Sequence, residues 1–165
     1  MARKQGLRIP SPILPNVQLE ACPVRASLGC LGRKWALIVL RDVALLRNVT
    51  FGQILVRNTG LTPRSLSMRL RELRKEGLIV RLADPEDGRR IRYRLTRQGE
   101  DAVPIVTAFI QYGIRHHATQ VFADERPRDL NQVFPGEQAF LLGRLNDYAL
   151  AGKVSSAMAT TRSKR

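Results

Sequence analysis

The stretch "TPRSLSMRLRELRKEGLI", residues 62 to 79, predicts one helix with two different faces. Leu66, Leu70 and Leu73 recur at the spacing of neighbouring turns, so at about 3.6 residues per turn they share one face. Five basic residues occur in the same stretch, and most of them lie away from the leucines. A helix of this kind buries its leucines and presents its basic face to water or to an oppositely charged partner.

The limits of this helix, and a second helix before it, are indicated by their capping residues. Thr62 is a favoured N-cap, and Pro63 suits the first helical position, where a missing N–H has little cost. Gly77 is typical of the residue that follows a helix end. Thr50 predicts the start of a short helix over residues 51 to 57, and "NTGLT" then predicts a turn before Pro63.

After Gly77 the sequence changes to the period of a β-strand. "LIVRLA" (residues 78 to 83) and "RRIRYRLT" (residues 89 to 96) predict two strands, joined by a turn in "DPEDG". Two short helices joined by a turn with glycine and followed by a hairpin predict a winged helix-turn-helix. The expected fold class is therefore mainly α with a small β-hairpin.

The rest of the chain is predicted to frame this motif with further helices. Helices are expected over residues 24 to 31 and 34 to 46, and Thr96 caps a long helix that Pro104 kinks or breaks. Residues 119 to 135 are expected to be irregular, before a last helix at 137 to 150. The predicted organisation is a flexible basic arm (1–21), the winged-helix domain (22–118), an extension with a helix (119–152) and a disordered basic tail (153–165).

The charge of the chain indicates a polyanionic partner. Lys plus Arg is 28 against 14 for Asp plus Glu, a formal net charge of +14. Residues 62 to 97 hold 11 basic and 5 acidic residues, so 11 − 5 gives +6 over the helix and hairpin. Double-stranded DNA is the favoured partner. Two alternatives stay open: a solvated basic surface, and a sequence-independent architectural or RNA-binding protein, which the basic ends would also suit.

The residue types opposite the leucines suit the reading of a DNA major groove. Arginine can form two parallel hydrogen bonds with guanine, and the side chain of Met68 can contact a thymine methyl group. Some of these arginines could instead pair with nearby acids such as Asp84. The predicted DNA contacts are Pro63, Arg64, Ser65, Ser67, Met68, Arg71 and Lys75 on the helix and Arg89, Arg90 and Arg92 on the hairpin.

The sequence offers little for catalysis, and we expect no enzyme, cofactor or metal site. The only histidines, His116 and His117, are adjacent, and no carboxylate pair, nucleophile elbow or glycine-rich phosphate loop occurs. Two cysteines do not make a disulfide framework or a zinc site. The N-terminus has no apolar signal region, and the longest uncharged run is 13 residues, so a cytoplasmic, nucleoid-associated protein is expected.

Several motifs in order resemble the HxlR-type winged helix-turn-helix transcriptional regulators. They are "CPVRASLGCLGRKWALIVLRDV" from residue 22, "FGQI" from 51, "GLTPRSLSMRLRELRKEGLIVR" from 60 and "YRLTRQGE" from 93, within residues 22 to 117. The resemblance implies a homodimer, joined through its first helix and the helix after the wing, that binds a near-palindromic operator. Repression is the favoured effect on transcription, and activation stays open. It places the recognition helix on residues 63 to 76 and the wing on residues 84 to 92.

The chain also departs from the family pattern at positions that bear on recognition. Arg33 replaces the second glycine of the usual GGKW, and Met68 stands where glutamine is frequent. Tyr112 and Gly113 stand where the family often has Trp-Gly, and both ends of the chain exceed the usual length. The operator sequence of other members therefore does not transfer to this chain.

Cys22 matches the cysteine that precedes Pro-Val in the family, where some members use it to sense oxidants or electrophiles. Such chemistry needs an exposed thiolate, which Arg25 and the start of a helix near Pro23 would favour. The alternative is a small, unreactive residue at the dimer interface. Cys30 falls at an apolar position of the predicted helix and is expected in the core.

Overall fold

The computed structural model describes residues 14 to 137 and 139 to 142. The expected tail, most of the arm and most of the helix expected at 137 to 150 lie outside these residues. In the described part the elements follow one another in this order: α1 (Pro23–Leu31), α2 (Ala36–Leu46), β1 (Val49–Thr50), α3 (Phe51–Arg57), α4 (Pro63–Lys75), β2 (Ile79–Ala83), β3 (Ile91–Leu95), α5 (Arg97–Asp101), α6 (Val103–His116), α7 (Ala118–Val121) and α8 (Leu130–Val133).

The predicted capping of α4 is confirmed at both ends. The Thr62 side chain accepts a hydrogen bond from the Ser65 N–H, and Pro63 occupies the first turn. Gly77 has φ +72°, a conformation that favours glycine. The Gly77 N–H bonds Arg74 O at 3.0 Å and the Leu78 N–H bonds Leu73 O at 2.9 Å, which is a Schellman motif. This motif turns the chain directly from α4 into β2.

The helices before α4 agree with the prediction except at the start of α2. Thr50 caps α3 in a capping box with Gln53, as a threonine followed three residues later by glutamine favours. We expected α2 to begin at Lys34, but it begins at Ala36. The reason is Trp35, whose φ of +75° lies outside the helical region.

The predicted hairpin is part of a three-stranded antiparallel sheet with the order β1-β3-β2. Strand β1 was not predicted: Val49 pairs with Tyr93, and Thr50 pairs with Arg92. On the other side of β3, Arg81 pairs with Tyr93 and Ile79 with Leu95. Strand β1 thereby ties the wing to the segment between α2 and α3.

The main core lies between α2, the inner face of α4 and the sheet. Val39, Leu40 and Val43 of α2 are fully buried, and they belong to one cluster with Leu66 and Leu73 of α4. Burial of each such side chain contributes roughly 1.5–3 kcal/mol. The position of α4 is therefore set by its leucines, as its sequence predicted.

A second, smaller core holds the chain after α6 against the domain. The long helix predicted after Thr96 is divided at Ala102 into α5 and α6, and Pro104 lies in the first turn of α6. The segment expected to be irregular contains α7 and α8. Leu130 and Leu141 are buried with Ala44 and Val103, and the buried Thr107 Oγ1 lies 3.0 Å from Leu141 O. The described part of the extension therefore folds back on α2 and α6.

None of the helices in the described residues has both the length and the apolar character needed to cross a bilayer.

Candidate nucleic-acid interface

Helix α4 has a buried inner face and an exposed, basic outer face. Leu66, Leu70 and Leu73 are at most 3% exposed. On the other side, Arg64, Arg71 and Lys75 are exposed, and Met68 is 46% exposed. The exposed face of α4 therefore includes most of the side chains that the sequence assigned to the groove, whereas Ser65 is only partly exposed.

Most of the predicted contact residues have no internal partner. Within residues 14 to 137 and 139 to 142, the charged side chains among them, except that of Arg92, make no side-chain hydrogen bond or ion pair. Such groups remain hydrated and keep all their donors available for a ligand. This set consists of Arg64, Arg71 and Lys75 on α4 and Arg89 and Arg90 at the wing. Pro63 and Ser67 are also exposed on α4.

Two other predicted contacts are engaged within the fold. The Ser65 hydroxyl accepts a hydrogen bond from the Thr62 hydroxyl at 2.9 Å in the N-cap of α4. Arg92 is half-buried: its Nε donates to Asp84 Oδ2 at 2.6 Å and its Nη1 donates to Asn48 O at 3.3 Å. A direct contact of either residue with DNA stays a prediction.

Asp84 organises the base of the wing. Its carboxylate is buried, accepts the Glu86 N–H at 3.1 Å and pairs with Arg92. The Glu86 N–H, followed by the Arg92 guanidinium, holds the pKa of Asp84 below its ordinary value. Asp84 therefore stays ionised, and it fixes the turn from which Arg89 and Arg90 project.

A basic cleft beside α4 contains residues that the sequence reasoning did not include among the contacts. Arg74 of α4 and Arg81 of β2 line a cavity of about 500 Å³ together with Arg71, Lys75 and Val80. The cleft forms because the Schellman motif brings β2 alongside the last turn of α4. The excess of arginine over residues 62 to 97 could have indicated it. Only the fold shows which of these arginines line the same cleft.

Arg69 is an arginine that does not belong to the outer face. It is 7% exposed, and its Nη1 lies 2.7 Å from Glu72 Oε2. It lies one residue before Leu70, on the edge of the buried face. Its charge is therefore compensated within α4 and supports the helix rather than the exposed surface.

The N-terminus of α4 is electropositive. There is no acidic residue in its first turn, so no side-chain charge neutralises the helix dipole there, and the Thr62 hydroxyl caps the Ser65 N–H without adding a charge. Arg64 lies in the same turn. An anion such as a phosphate is favoured at this position.

The two thiols lie in different surroundings. Cys22 is exposed and is the N-cap of α1, where its carbonyl oxygen accepts the Ala26 N–H at 3.1 Å. Cys30 is half-buried and packs against the main core. Burial, followed by the carboxylates of Glu76 and Glu72, raises the pKa of Cys30. Of the two, Cys22 is the accessible thiol.

In the described residues, no three His, Cys, Asp or Glu side chains form a group that could hold a metal ion.

Comparison with protein families and curated proteins points to transcriptional regulators. The model of the HxlR-like helix-turn-helix family matches residues 30–121. An uncharacterized HTH-type transcriptional regulator from Synechocystis is 34% identical over 92 residues, which cover 56% of this chain and 67% of the relative. The matched family and this relative are regulators and not enzymes.

Solved structures show the same architecture. A MarR-family transcriptional regulator from Porphyromonas gingivalis aligns with a TM-score of 0.54 and 27% identity, over 62% of this chain and 99% of the other. The redox regulator HypR, solved in its oxidized form, aligns with a TM-score of 0.52 and 28% identity, over 56% of this chain and 94% of HypR. Both matches support the winged-helix fold read from the sequence.

Proposed function

Because the chain belongs to the HxlR-like helix-turn-helix family of transcriptional regulators, we propose that it is a dimeric, sequence-specific repressor of transcription. In this proposal it reads a near-palindromic operator with residues 63 to 76 and contacts the flanking backbone with the wing, residues 84 to 92. Its place of action is the nucleoid in the cytoplasm.

The outer face of α4 is the observation that carries this proposal. Arg64 and Arg71 are exposed beside Met68 and have no side-chain partner among the described residues, on a helix whose other face is held in the core. A major groove is wide enough to admit such a helix, and an arginine there can bind guanine O6 and N7 together. We assign base reading to Arg64, Met68 and Arg71, and groove or phosphate contacts to Pro63, Ser65, Ser67 and Lys75.

The wing supplies contacts that do not depend on sequence. Arg89 and Arg90 follow a turn that the Asp84 carboxylate holds in place. Exposed arginines on a hairpin tip suit the phosphate backbone, which is the same for every base pair. Arg92 acts in this scheme mainly by fixing the turn through Asp84, and any contact of its own with a phosphate would be additional.

The exposed apolar residues of α1 and α6 favour a dimer. None of the nine residues of α1 is buried, although Val24 and Leu28 are apolar. On α6, Phe109 is 62% and Tyr112 is 60% exposed. A helix as short as α1 is not stable alone in water and needs packing against another surface. Pairing of α1 and α6 with a second copy would bury these side chains.

Recovery of bound fragments from genomic DNA tests the proposal. A dimer predicts an inverted repeat whose half-sites lie about one helical turn, roughly 10 base pairs, apart. The variant Arg64→Ala/Arg71→Ala serves as the control, because it should stay folded while the fragments recovered with it lack the shared repeat. Fragments without a shared repeat would contradict a palindromic operator.

A sequence-independent architectural or RNA-binding protein is the alternative, and competition separates it from a regulator. A regulator prefers its site over random DNA by about a thousandfold or more at physiological salt. An architectural protein would show one affinity for all duplexes, and an RNA-binding protein would prefer RNA. Equal affinity for the recovered fragments and random DNA would favour the alternative.

We further propose that Cys22 makes the regulator responsive to thiol chemistry. Cys22 is exposed at the start of α1, the helix that we place in the dimer interface. A bulky group bonded to its sulfur would lie at that interface and could change how the two recognition helices are spaced. The similarity to the redox regulator HypR supports this assignment. The opposing hypothesis is that Cys22 is only a small residue of the interface.

The two cysteines provide their own control for this idea. Alkylation with N-ethylmaleimide should change operator affinity in the native protein and in Cys30→Ser, but not in Cys22→Ser. The raised pKa of Cys30 disfavours its thiolate, so its contribution should be small. A Cys22→Ser variant that still responds to oxidants and electrophiles like the native protein would remove Cys22 as the sensor.

A further inference from the structure

An open cavity of about 500 Å³ lies between α1, α2 and α6, away from the basic face of α4. Its walls are mostly apolar, with Leu28 of α1, Ile38 of α2 and Phe109 of α6 among them. Two arginines, Arg33 and Arg41, also line it, and none of its lining side chains in the described part of the chain is acidic. The volume suits a small organic ligand, and the two guanidinium groups make an anionic ligand the complementary one.

Arg41 connects this cavity to the turn between α3 and α4. Its Nη2 lies 2.8 Å from Asp42 Oδ1 and 2.9 Å from Asn58 Oδ1, and its Nε lies 3.0 Å from Asp42 Oδ1. Asn58 in turn donates to Asp42 Oδ2 and to Ile54 O. In the described part of the chain, Nη1 of Arg41 makes no hydrogen bond. Every fully buried side-chain nitrogen there does have a hydrogen-bond partner, so Nη1 is not fully buried and can be reached by a ligand.

Trp35 makes a second connection from the same cavity to the same turn. It lines the cavity, and a Cβ added at Gly60 would lie 3.9 Å from its Cη2 and Cζ2 atoms. Both residues have positive φ, +75° for Trp35 and +85° for Gly60. A bulky residue in this conformation is held there by its surroundings, and such positions are common where a ligand or a switch acts. Trp35 also packs against the core cluster that contains Leu61, so a displacement of its ring would act on Gly60 and Leu61 in this turn.

We propose that the cavity lined by Leu28, Arg33, Trp35, Ile38, Arg41 and Phe109 binds a small aromatic carboxylate and transmits its occupancy to the turn that carries α4. The carboxylate would be held by Arg41 and Arg33, and the ring would pack against Trp35 and Phe109. A carboxylate that bridges Nη1 and Nη2 of Arg41 competes with Asn58 Oδ1 for the N–H of Nη2. The turn at residues 58 to 61 then relaxes, and the orientation of α4 changes.

Ligand binding is measured first, without DNA, with diphenylacetate as the probe. Trp35 is the only tryptophan of the chain, so its fluorescence reports on the cavity directly. Diphenylacetate should quench or shift this fluorescence and saturate. The neutral diphenylacetamide, of nearly equal size, should bind about tenfold or more weakly, because it lacks the charge-assisted hydrogen bonds. Equal binding of the two compounds, or no saturable change, would overturn the proposal.

Matched charge variants locate the site. Arg33→Gln and Arg41→Gln should each weaken diphenylacetate binding about tenfold. Arg126→Gln removes the same charge from an exposed position outside the cavity and should bind within about twofold of the native protein. If Arg41→Gln does not fold, Arg33→Gln still decides, since Arg33 is outside the Asp42 hydrogen bonds. Unchanged affinity in the Arg33→Gln variant would place the ligand elsewhere and overturn the proposal.

A second copy of the chain is the competing occupant of the cavity. If the partner's side chains fill it, diphenylacetate affinity falls as the protein concentration rises and the ligand dissociates the dimer. Affinity that is independent of protein concentration supports a ligand site. A fall in affinity with dimer formation would assign the cavity to the subunit interface instead.

The transmission step rests on the proposed operator binding and is tested separately. Saturating diphenylacetate should change operator affinity by about fivefold or more, and operator DNA should change diphenylacetate affinity by the same factor. Binding of diphenylacetate without a change in operator affinity would overturn the transmission. Failure to find any operator would count against the proposed function alone, because the binding measurements do not use DNA.

Discussion

Arginine has opposite tasks in two regions of this molecule. On the outer face of α4 and at the wing tip, arginine side chains are exposed and have no internal partner in the described residues. Between α2 and the turn at residues 58 to 61, Arg41 and Arg57 instead approach Asp42, which is 1% exposed and also bonded to Asn58. We call this second region the Asp42 network. Burial decides the difference: a buried charge must be compensated, whereas an exposed charge is free to meet a ligand.

The largest effect on stability is expected from Asp42→Ala in the Asp42 network. It removes one acceptor from the buried Asn58 amide, which keeps Ile54 O, and the compensating carboxylate from the Arg41 guanidinium, which keeps Asn58 Oδ1. The free energy of unfolding should fall by about 3 kcal/mol. Urea denaturation at fixed protein concentration measures the loss. Asp42→Asn keeps a carbonyl acceptor and should lose less. A loss below about 0.5 kcal/mol for Asp42→Ala would mean that water replaces the network at little cost.

Arg71→Ala should show the reverse pattern. Stability should change by less than about 0.5 kcal/mol, because the side chain is exposed and has no partner in the described residues. Operator affinity should fall by about 1–3 kcal/mol if Arg71 binds a guanine in the groove. Titration of operator duplexes measures this, with Arg126→Ala as the control for lost charge. Equal losses for Arg71→Ala and Arg126→Ala would end the assignment to base reading.

The first region could be read from the sequence because its signals are local. Thr62, Pro63 and Gly77 delimit α4 through neighbouring backbone groups, and the leucine spacing assigns its inner face. The basic face then follows as the remaining side of the helix. Local capping and periodicity therefore predicted both the extent of α4 and the candidate DNA contacts on its outer face.

The Asp42 network could not be read in this way, since its members are far apart in the chain. Arg41 and Asn58 are 17 positions apart, and no periodic pattern joins them. Strand β1 was missed because two residues are too short to show an alternation. The positive φ of Trp35 was missed because tryptophan rarely adopts it, and the surrounding packing decides. The position of the extension likewise depends on contacts of Leu130 and Leu141 with distant helices.

At the wing, the double variant Arg89→Gln/Arg90→Gln should weaken binding to every duplex alike. Each lost phosphate contact lowers the slope of log affinity against log salt by about one unit, so the slope should fall by about two. Affinity measured across several salt concentrations, on operator and on random DNA, gives the slope. Loss of operator binding alone would instead place these arginines on base edges.

Met68→Gln tests whether the apolar position on the outer face of α4 contacts a base, as the arginines beside it are proposed to do. Methionine can give a base edge only apolar contact, whereas glutamine can bind adenine N6 and N7 together. The change should create a preference for adenine at one operator position, worth about 1 kcal/mol, with the other positions unchanged. A selection from randomised operators measures it against the native protein. An unaltered preference would show that the side chain at residue 68 does not reach a base.

The smallest effect on stability is expected at Asp84, a compensated carboxylate at the base of the exposed wing. The pKa of this carboxyl is lowered from 3.8 by the Glu86 N–H and by Arg92, so its ionised form stabilises the folded wing. That contribution is complete above the ordinary pKa and is lost as pH falls through the lowered one. Asp84→Asn should therefore be less stable than the native protein at neutral pH, and the difference should vanish in acid. Urea midpoints measured against pH give this difference, with Glu20→Gln as the control, since Glu20 is exposed and has no side-chain partner among the described residues. A difference that persists unchanged in acid would show that the Asp84 side chain acts by its hydrogen-bonding shape and not by its charge.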